Sequence, residues 1–212
     1  EMRAQAARWA GDLGFDPDNL VPGLLRDPSP RVRLMAGIAC GKLTSKDALE
    51  PLSKLIVDAG NKETVLRHAG IFGLAGAASP RELKSLSEHS SEALRIAAVV
   101  ALRRQRAFDE LTAFLDDASP QVMSDAMRAI YDEASPQTFN DHPNVLTALA
   151  TSLDPSSPAP VNVRAIAANR RLGTIEAARR VAAFLTTPKL DPALRVEALY
   201  SLESWPDAST LD

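Results

Sequence analysis

The chain has a single cysteine, Cys40, in 212 residues. One thiol excludes an internal disulfide and leaves no second sulfur for a metal site. Its neighbours are small and apolar, which marks a packed core thiol rather than a nucleophile. Aromatic residues are only 5%, too few for a sandwich of strands, which would want Val, Ile, Thr and Tyr. No apolar run approaches the ~20 residues of a membrane-spanning helix, so no membrane insertion is expected. Lysine is scarce, six against eighteen arginines, and the formal net charge is −3. That balance argues against duplex nucleic acid as a partner, because such binders carry a basic footprint. No serine stands in Gly-x-Ser-x-Gly and no glycine-rich loop follows a strand pattern. His68, His89 and His142 share no ligand spacing, so neither a metal nor a cofactor is expected.

Alanine is abundant within a hydrophobic fraction of 45%, and small residues recur at helical intervals behind an arginine. After Val32-Arg33 come Ala36, Ala39, Cys40 and Leu43. After Leu66-Arg67 come Gly70, Gly73, Leu74 and Ala77. After Leu94-Arg95 come Ala98, Ala101 and Leu102. Met2-Arg3 and Leu194-Arg195 start the same pattern, Val122-Met123 keeps it without the arginine, and Val163-Arg164 keeps only Ala167. In that last unit Arg170 and Arg171 fall on core positions, so a shift of register or a bend is expected. The anchors 3, 33, 67, 95, 123, 164 and 195 are 30, 34, 28, 28, 41 and 31 residues apart. A period of this size is the mark of a solenoid. At 100° per residue the small side chains converge on one face, where they let a neighbouring helix approach closely.

Second helices lie between the anchors. One carries Leu49, Leu52, Leu55 and Ile56, another Phe108, Leu111 and Leu115, and a third Ile175, Ala178, Ala182 and Leu185. Shorter ones are expected over 20–26, 80–88 and 144–153. The joints "DPSP" (27–30), "ASP" (118–120) and "LDP" (190–192) read as helix starts, with Asp or Ser as cap and Pro in the first turn. "GLAGAAS" (73–79) reads as close packing followed by a glycine C-cap. The expected fold is an all-α, right-handed α-solenoid of about six helix pairs plus an incomplete first unit. It forms a single domain over 1–212, cut from a longer chain.

The stretch "LLRDPSPRVRLMAGIACGKL" (24–43) resembles HEAT repeats, including the short HEAT-like units of phycobilin lyases. The resemblance implies that Arg3, Arg33, Arg67, Arg95, Arg164 and Arg195 are structural and meet an aspartate of a loop. Asp27 before Arg33 and Asp191 before Arg195 are the candidates. "LRHAGIFGLAG" (66–76) and "DPALRVEALYSLESWPDAS" (191–209) resemble the HEAT region of large bacterial membrane-bound dehydrogenases. In that family a sorbosone-dehydrogenase-like propeller precedes the array and a c-type haem domain follows it. The present chain has no Cys-x-x-Cys-His and no propeller-like strands. The resemblance therefore implies a non-catalytic scaffold within an exported redox protein of the periplasm or cell envelope, with a protein or a neighbouring domain as partner. Two alternatives remain open. HEAT-like DNA glycosylases hold DNA on such arrays, and Arg103, Arg104, Arg106, Arg170, Arg171, Arg179 and Arg180 would be the cations. A bilin-lyase-like enzyme is the other.

The positions one and five after each anchor fall opposite the buried face and are expected to line the concave side. They read Leu34 and Ile38, His68 and Phe72, then Ile96 and Val100 in three successive units. The next units give Ser124 and Arg128, then Ala165 and Asn169, before Val196 and Tyr200. The first six form a candidate protein-binding strip, because a contiguous apolar surface rimmed by charge marks a docking site.

Overall fold

The computed structural model describes residues 1–60 and 62–205. Among these residues every regular element is helical and no strand forms, and the fold is an all-α helical-repeat solenoid. The packing divides it into two compact units, Glu1–Glu110 and a second that begins at Leu111.

The first unit contains α1 (Met2–Leu13), a 3-10 segment Val21–Arg26, α2 (Pro30–Leu43), α3 (Leu49–Ala59), α4 (Thr64–Ala77), α5 (Pro80–Ser85) and α6 (Glu92–Gln105). The helices that carry the anchors, α1, α2, α4 and α6, pack side by side in one row. Val21–Arg26, α3 and α5 form the second row, each against the anchor helix that follows it. The positions three after the anchor are buried, as the small-residue pattern predicts: Ala36 and Ala98 are fully covered and Gly70 is buried. On α3 the apolar stripe Leu52, Leu55 and Ile56 is also buried. Each such side chain contributes roughly 1.5–3 kcal/mol by leaving water.

Glycine sets the distance between helices in this row. A Cβ on Gly37 would lie 3.2 Å from the Ala69 backbone, and one on Gly41 only 2.7 Å from the Phe72 carbonyl oxygen. A Cβ on Gly73 would meet Leu52 Cδ2 at 2.6 Å and the Gly37 carbonyl oxygen at 2.7 Å. Gly73 and Gly76 are therefore packing residues. The glycine C-cap expected after them does not exist, because α4 ends at Ala78 in an extended conformation.

The second unit follows α7 (Phe108–Leu111), which crosses the division, and holds α8 (Pro120–Tyr131), α9 (Pro136–Asp141), α10 (Pro143–Thr151), α11 (Ala159–Leu172), α12 (Ile175–Leu185) and α13 (Pro192–Glu203). Here α11 packs against both α8 and α13, while α10 covers α11 and α12 covers α13. The helix α9 was not foreseen. It starts at a capping box, in which Ser135 Oγ accepts from the Thr138 N–H and Thr138 Oγ1 accepts from the Ser135 N–H.

Helix starts follow the proline punctuation. Ser119 Oγ caps the Val122 N–H at 3.4 Å, and Asp191 Oδ1 accepts from the Ala193 N–H at 2.8 Å. Ser29 makes no side-chain cap and instead gives its own N–H to Asp27 Oδ1 at 2.8 Å.

Two phases differ from the sequence pattern. On α12 the buried residues are Ala177, Val181 and Phe184, while Ile175 and Ala182 are exposed. The i, i+4, i+7 stripe faces the core around Ile166, Leu190 and Leu194, with Leu185 of the expected stripe half-buried against it. On α11 the register shifts. Val163 is exposed, and Val161, Asn162, Ala165, Ile166, Ala168 and Asn169 are buried. Ala165 and Asn169, expected on the concave side, are therefore core residues.

Close helix approach makes the row intolerant of added volume. Ala98→Leu is expected to cost ~1–3 kcal/mol through overpacking, and Gly73→Ala is expected to destabilise because backbone lies in the way. Urea midpoints read both effects, and an unchanged midpoint for Ala98→Leu would refute its inward facing.

Candidate interaction surface

The strip forms from three neighbouring anchor helices. Leu34 and Ile38 stand on α2, His68 and Phe72 on α4, and Ile96 and Val100 on α6, each pair four residues apart and so on one helix face. Leu34, Ile38, Phe72, Ile96 and Val100 are half-buried and His68 is exposed. None of the five apolar side chains is sealed in the core, and none projects freely. Phe72 has a specific seat. Its carbonyl edge abuts Gly41, and the Arg104 guanidinium lies over its ring at 5.7 Å. Leu34 borders a cleft of about 320 Å³ between the starts of α2 and α4, shared with Arg31, Lys62, Glu63 and Val65. Positive and negative side chains thus rim one end of an apolar face. In the second unit the corresponding residues do not continue the strip. Ser124 is half-buried, Arg128 is exposed and bonded to Asp125 at 3.0 Å, and Val196 and Tyr200 are exposed.

The repeat arginines act on turns. Arg33 donates to the carbonyls of Asp27 (3.0 Å) and Pro28 (3.3 Å), six and five residues before it. Arg95 repeats this on His89 (2.8 Å) and Ser90 (3.3 Å). The acids they meet differ from those expected. The Asp27 carboxylate takes both a 2.6 Å and a 3.2 Å bond from Arg3, one repeat earlier, and holds the Ser29 N–H as well. These bonds, led by that from Arg3, keep the Asp27 carboxyl below the usual carboxylate range. Arg33 reaches Glu63 at 3.8 Å in the next repeat. Arg164 grips Asp132 with bonds of 2.9 and 2.8 Å. Asp191 serves as a cap, and Arg195 bonds the Thr187 carbonyl at 3.2 Å. Arg67 is half-buried at the equivalent place on α4.

Several of the clustered arginines are also engaged within the fold. Arg106 lies 5.3 Å from the Phe108 ring, and Arg171 lies 5.5 Å from Tyr131 and 5.1 Å from Phe139. Arg180 donates to Asn169 Oδ1. Asn169 in turn donates to the Ala150 and Ala165 carbonyls, both at 2.8 Å. Asn162 bridges the Ser157 carbonyl and the Asp154 N–H. These two buried asparagines escaped sequence reasoning. The available signal was a polar residue seven positions from another on an otherwise apolar face.

His68 stands on α4, His89 and His142 lie in joints between helices, and His89 Nδ1 accepts from the Ser91 N–H at 3.0 Å. Among the described residues no group of three His, Cys, Asp or Glu side chains is arranged to hold a metal ion. No helix among them is long and apolar enough to cross a membrane.

No family model matches the chain, and no curated protein is similar to it. Among solved structures, a designed armadillo repeat protein is similar at 20% identity and a TM-score of 0.46, over 88% of this chain and 98% of its own. An engineered protein solved by crystallography is similar at 16% identity and a TM-score of 0.46, over 89% of this chain and 98% of its own.

Burial determines the chemistry of the lone thiol. Cys40 is fully covered on α2, and desolvation pushes its pKa up to about 12. The folded pKa lies above the unfolded value, so the thiol stays protonated in the fold while the unfolded chain ionises. The contribution of this group to stability is intact below the unfolded pKa of ~8.5 and falls as pH rises above it. Cys40 is expected to resist alkylation by iodoacetamide at pH 8 and to react when urea unfolds the chain. Fast labelling of the native protein would contradict this burial.

Proposed function

We propose that the chain is a non-catalytic interaction module. Its first unit presents Leu34, Ile38, His68, Phe72, Ile96 and Val100 to an apolar peptide segment or a neighbouring domain. The observation that carries this reading is the incomplete burial of the same two positions on three adjacent helices, with charge at the rim. A strip of this kind gains by desolvation at its centre and takes specificity from the rim. On the resemblance of 66–76 and 191–209 to the dehydrogenase HEAT region, the module serves as interdomain scaffold in an exported redox protein. Residues 206–209 of that motif lie outside the described residues.

Arginine favours one competing reading, nucleic acid. Several of its guanidiniums, those of Arg104, Arg106, Arg171 and Arg180, are spent on rings and an amide inside the fold. That leaves less of the sequence's basic potential for phosphate.

Peptides selected from a random display library against the folded chain provide the test. They are expected to shift the methyl resonances of Leu34, Ile38, Ile96 and Val100. Ile96→Asp and Leu34→Asp should weaken that binding ~10-fold or more while circular dichroism stays helical. Phe72→Ala suits that position better than a charge, because Arg104 rests on the ring. Selected peptides that leave these methyls unshifted and bind the variants equally would end the proposal. A salt-dependent shift of duplex DNA at physiological ionic strength would favour the competing reading.

A further inference from the structure

We propose that the strip is gated by pH, because His68 must be neutral when an uncharged, apolar peptide segment covers it. This rests on the reading of the strip as a docking site and names its regulation.

His68 is the one titratable member of the six and stands in the middle row. Helix α4 packs against α2 on one side and α6 on the other. Leu34 and Ile38 of α2, Ile96 and Val100 of α6, and Phe72 one turn along α4 are all half-buried, while His68 is exposed. In the free chain water solvates either form of the imidazole. A segment that covers the five apolar side chains covers His68 as well. Neutral imidazole then needs one donor and one acceptor, which a peptide backbone supplies. Imidazolium would carry an unpaired charge into an apolar contact, and that is costly. Binding is therefore linked to loss of a proton.

The charges around α4 do little to offset that cost. One turn before Leu34, Arg31 pairs with Glu1 at 3.1 Å. One turn beyond His68, Arg104 lies over the Phe72 ring at 5.7 Å. Both cations oppose a further positive charge. Arg67, next to His68 on α4, is half-buried. Lys62 and Glu63 precede α4, and Glu63 faces Arg33 at 3.8 Å. On α6 the acid Glu92 is exposed one turn before Ile96. The opposite face of α4 meets α3, where Ile56 and Leu52 fill the space at Gly70 and Gly73. Glu50, Lys54 and Asp58 of α3 therefore stand away from the imidazole, as do Lys46 and Asp47 of the turn that leads into it. The sign follows. Covering lowers the pKa of an imidazole, so affinity is full above the free group's range and falls as pH drops through it.

A library-selected peptide with blocked termini and no His, Asp or Glu tests this, because it has no group that titrates between pH 5 and 8. Its affinity for the full chain is measured at pH 7.5 and 5.5. Binding should be about fivefold weaker at pH 5.5, the ratio for an imidazole whose ordinary pKa of ~6.5 falls by one unit in a complex. His68→Gln is neutral at both values and should bind equally at the two. The His68 Cε1–H resonance should titrate at lower pH with peptide bound than without it. Equal affinity of the unaltered chain at both pH values overturns the gate, and so does a loss that persists in His68→Gln. The docking site survives either result if the methyls of Leu34, Ile38, Ile96 and Val100 still shift. Selected peptides that shift none of these methyls overturn site and gate together.

Discussion

The close approach of anchor helices through glycine and alanine is the constraint on which the first unit depends. At Gly41 and Gly76 the nearest neighbour that would meet a Cβ is backbone, not a flexible side chain. Backbone cannot yield by changing rotamer, so these positions fix the spacing of α2 and α4. The same spacing explains the strip. Helices that meet through small residues have little side-chain bulk at the seam. Residues one step away, such as Ile38 and Phe72, then emerge at its edge and remain half-covered. The candidate surface is a consequence of how the row packs.

Arginine supplies the second recurring device. A short turn between helices leaves carbonyls without helical partners. Arg33 and Arg95 return to the carbonyls six and five residues earlier, with similar lengths in both repeats. The residue six before the anchor also accepts an N–H two positions on. Asp27 serves Ser29, His89 serves Ser91 and Asp117 serves Ser119. One turn thus recurs with a carboxylate or an imidazole in the same slot. An exposed ion pair adds only about 0–1 kcal/mol. The value of these arginines lies more in satisfying the turn than in the charge pairing across repeats.

The period, the anchor helices and the identity of most core positions in the first unit were legible in the sequence. Small residues behind an arginine have one compatible geometry, a helix packed closely on that face. Partner identity was less legible. Arg3, not Arg33, holds the Asp27 carboxylate, because the side chain of an earlier repeat reaches the same turn. The phase of α12 was ambiguous, since alanine-rich helices offer two stripes of nearly equal merit and only tertiary burial chooses. In α11 the pattern failed because the core accepts asparagine. The amide of Asn169 satisfies two carbonyls and takes an arginine, which removes the cost of burying it. The half-exposure of the strip was beyond periodicity, which gives direction but not the height of a neighbour's backbone.

The two units therefore reach the same fold class by different chemistry, and this bears on how arginine should be read. In the first unit glycine brings backbones together, and Arg104 lies over the half-buried Phe72 ring. In the second, α11 buries two amides, and Arg171 sits over the tilted pair Tyr131 and Phe139, whose centroids are 6.4 Å apart. A cation over a ring contributes about 0.5–1 kcal/mol at an exposed site, and its flat guanidinium also shields apolar area from water. With few aromatics and no disulfide, the chain uses arginine as a covering side chain as much as a charge. An arginine used in this way is held against the protein, and a phosphate would have to displace it from a ring or an amide. Part of the excess of arginine over lysine thus serves the packing of a small-residue fold.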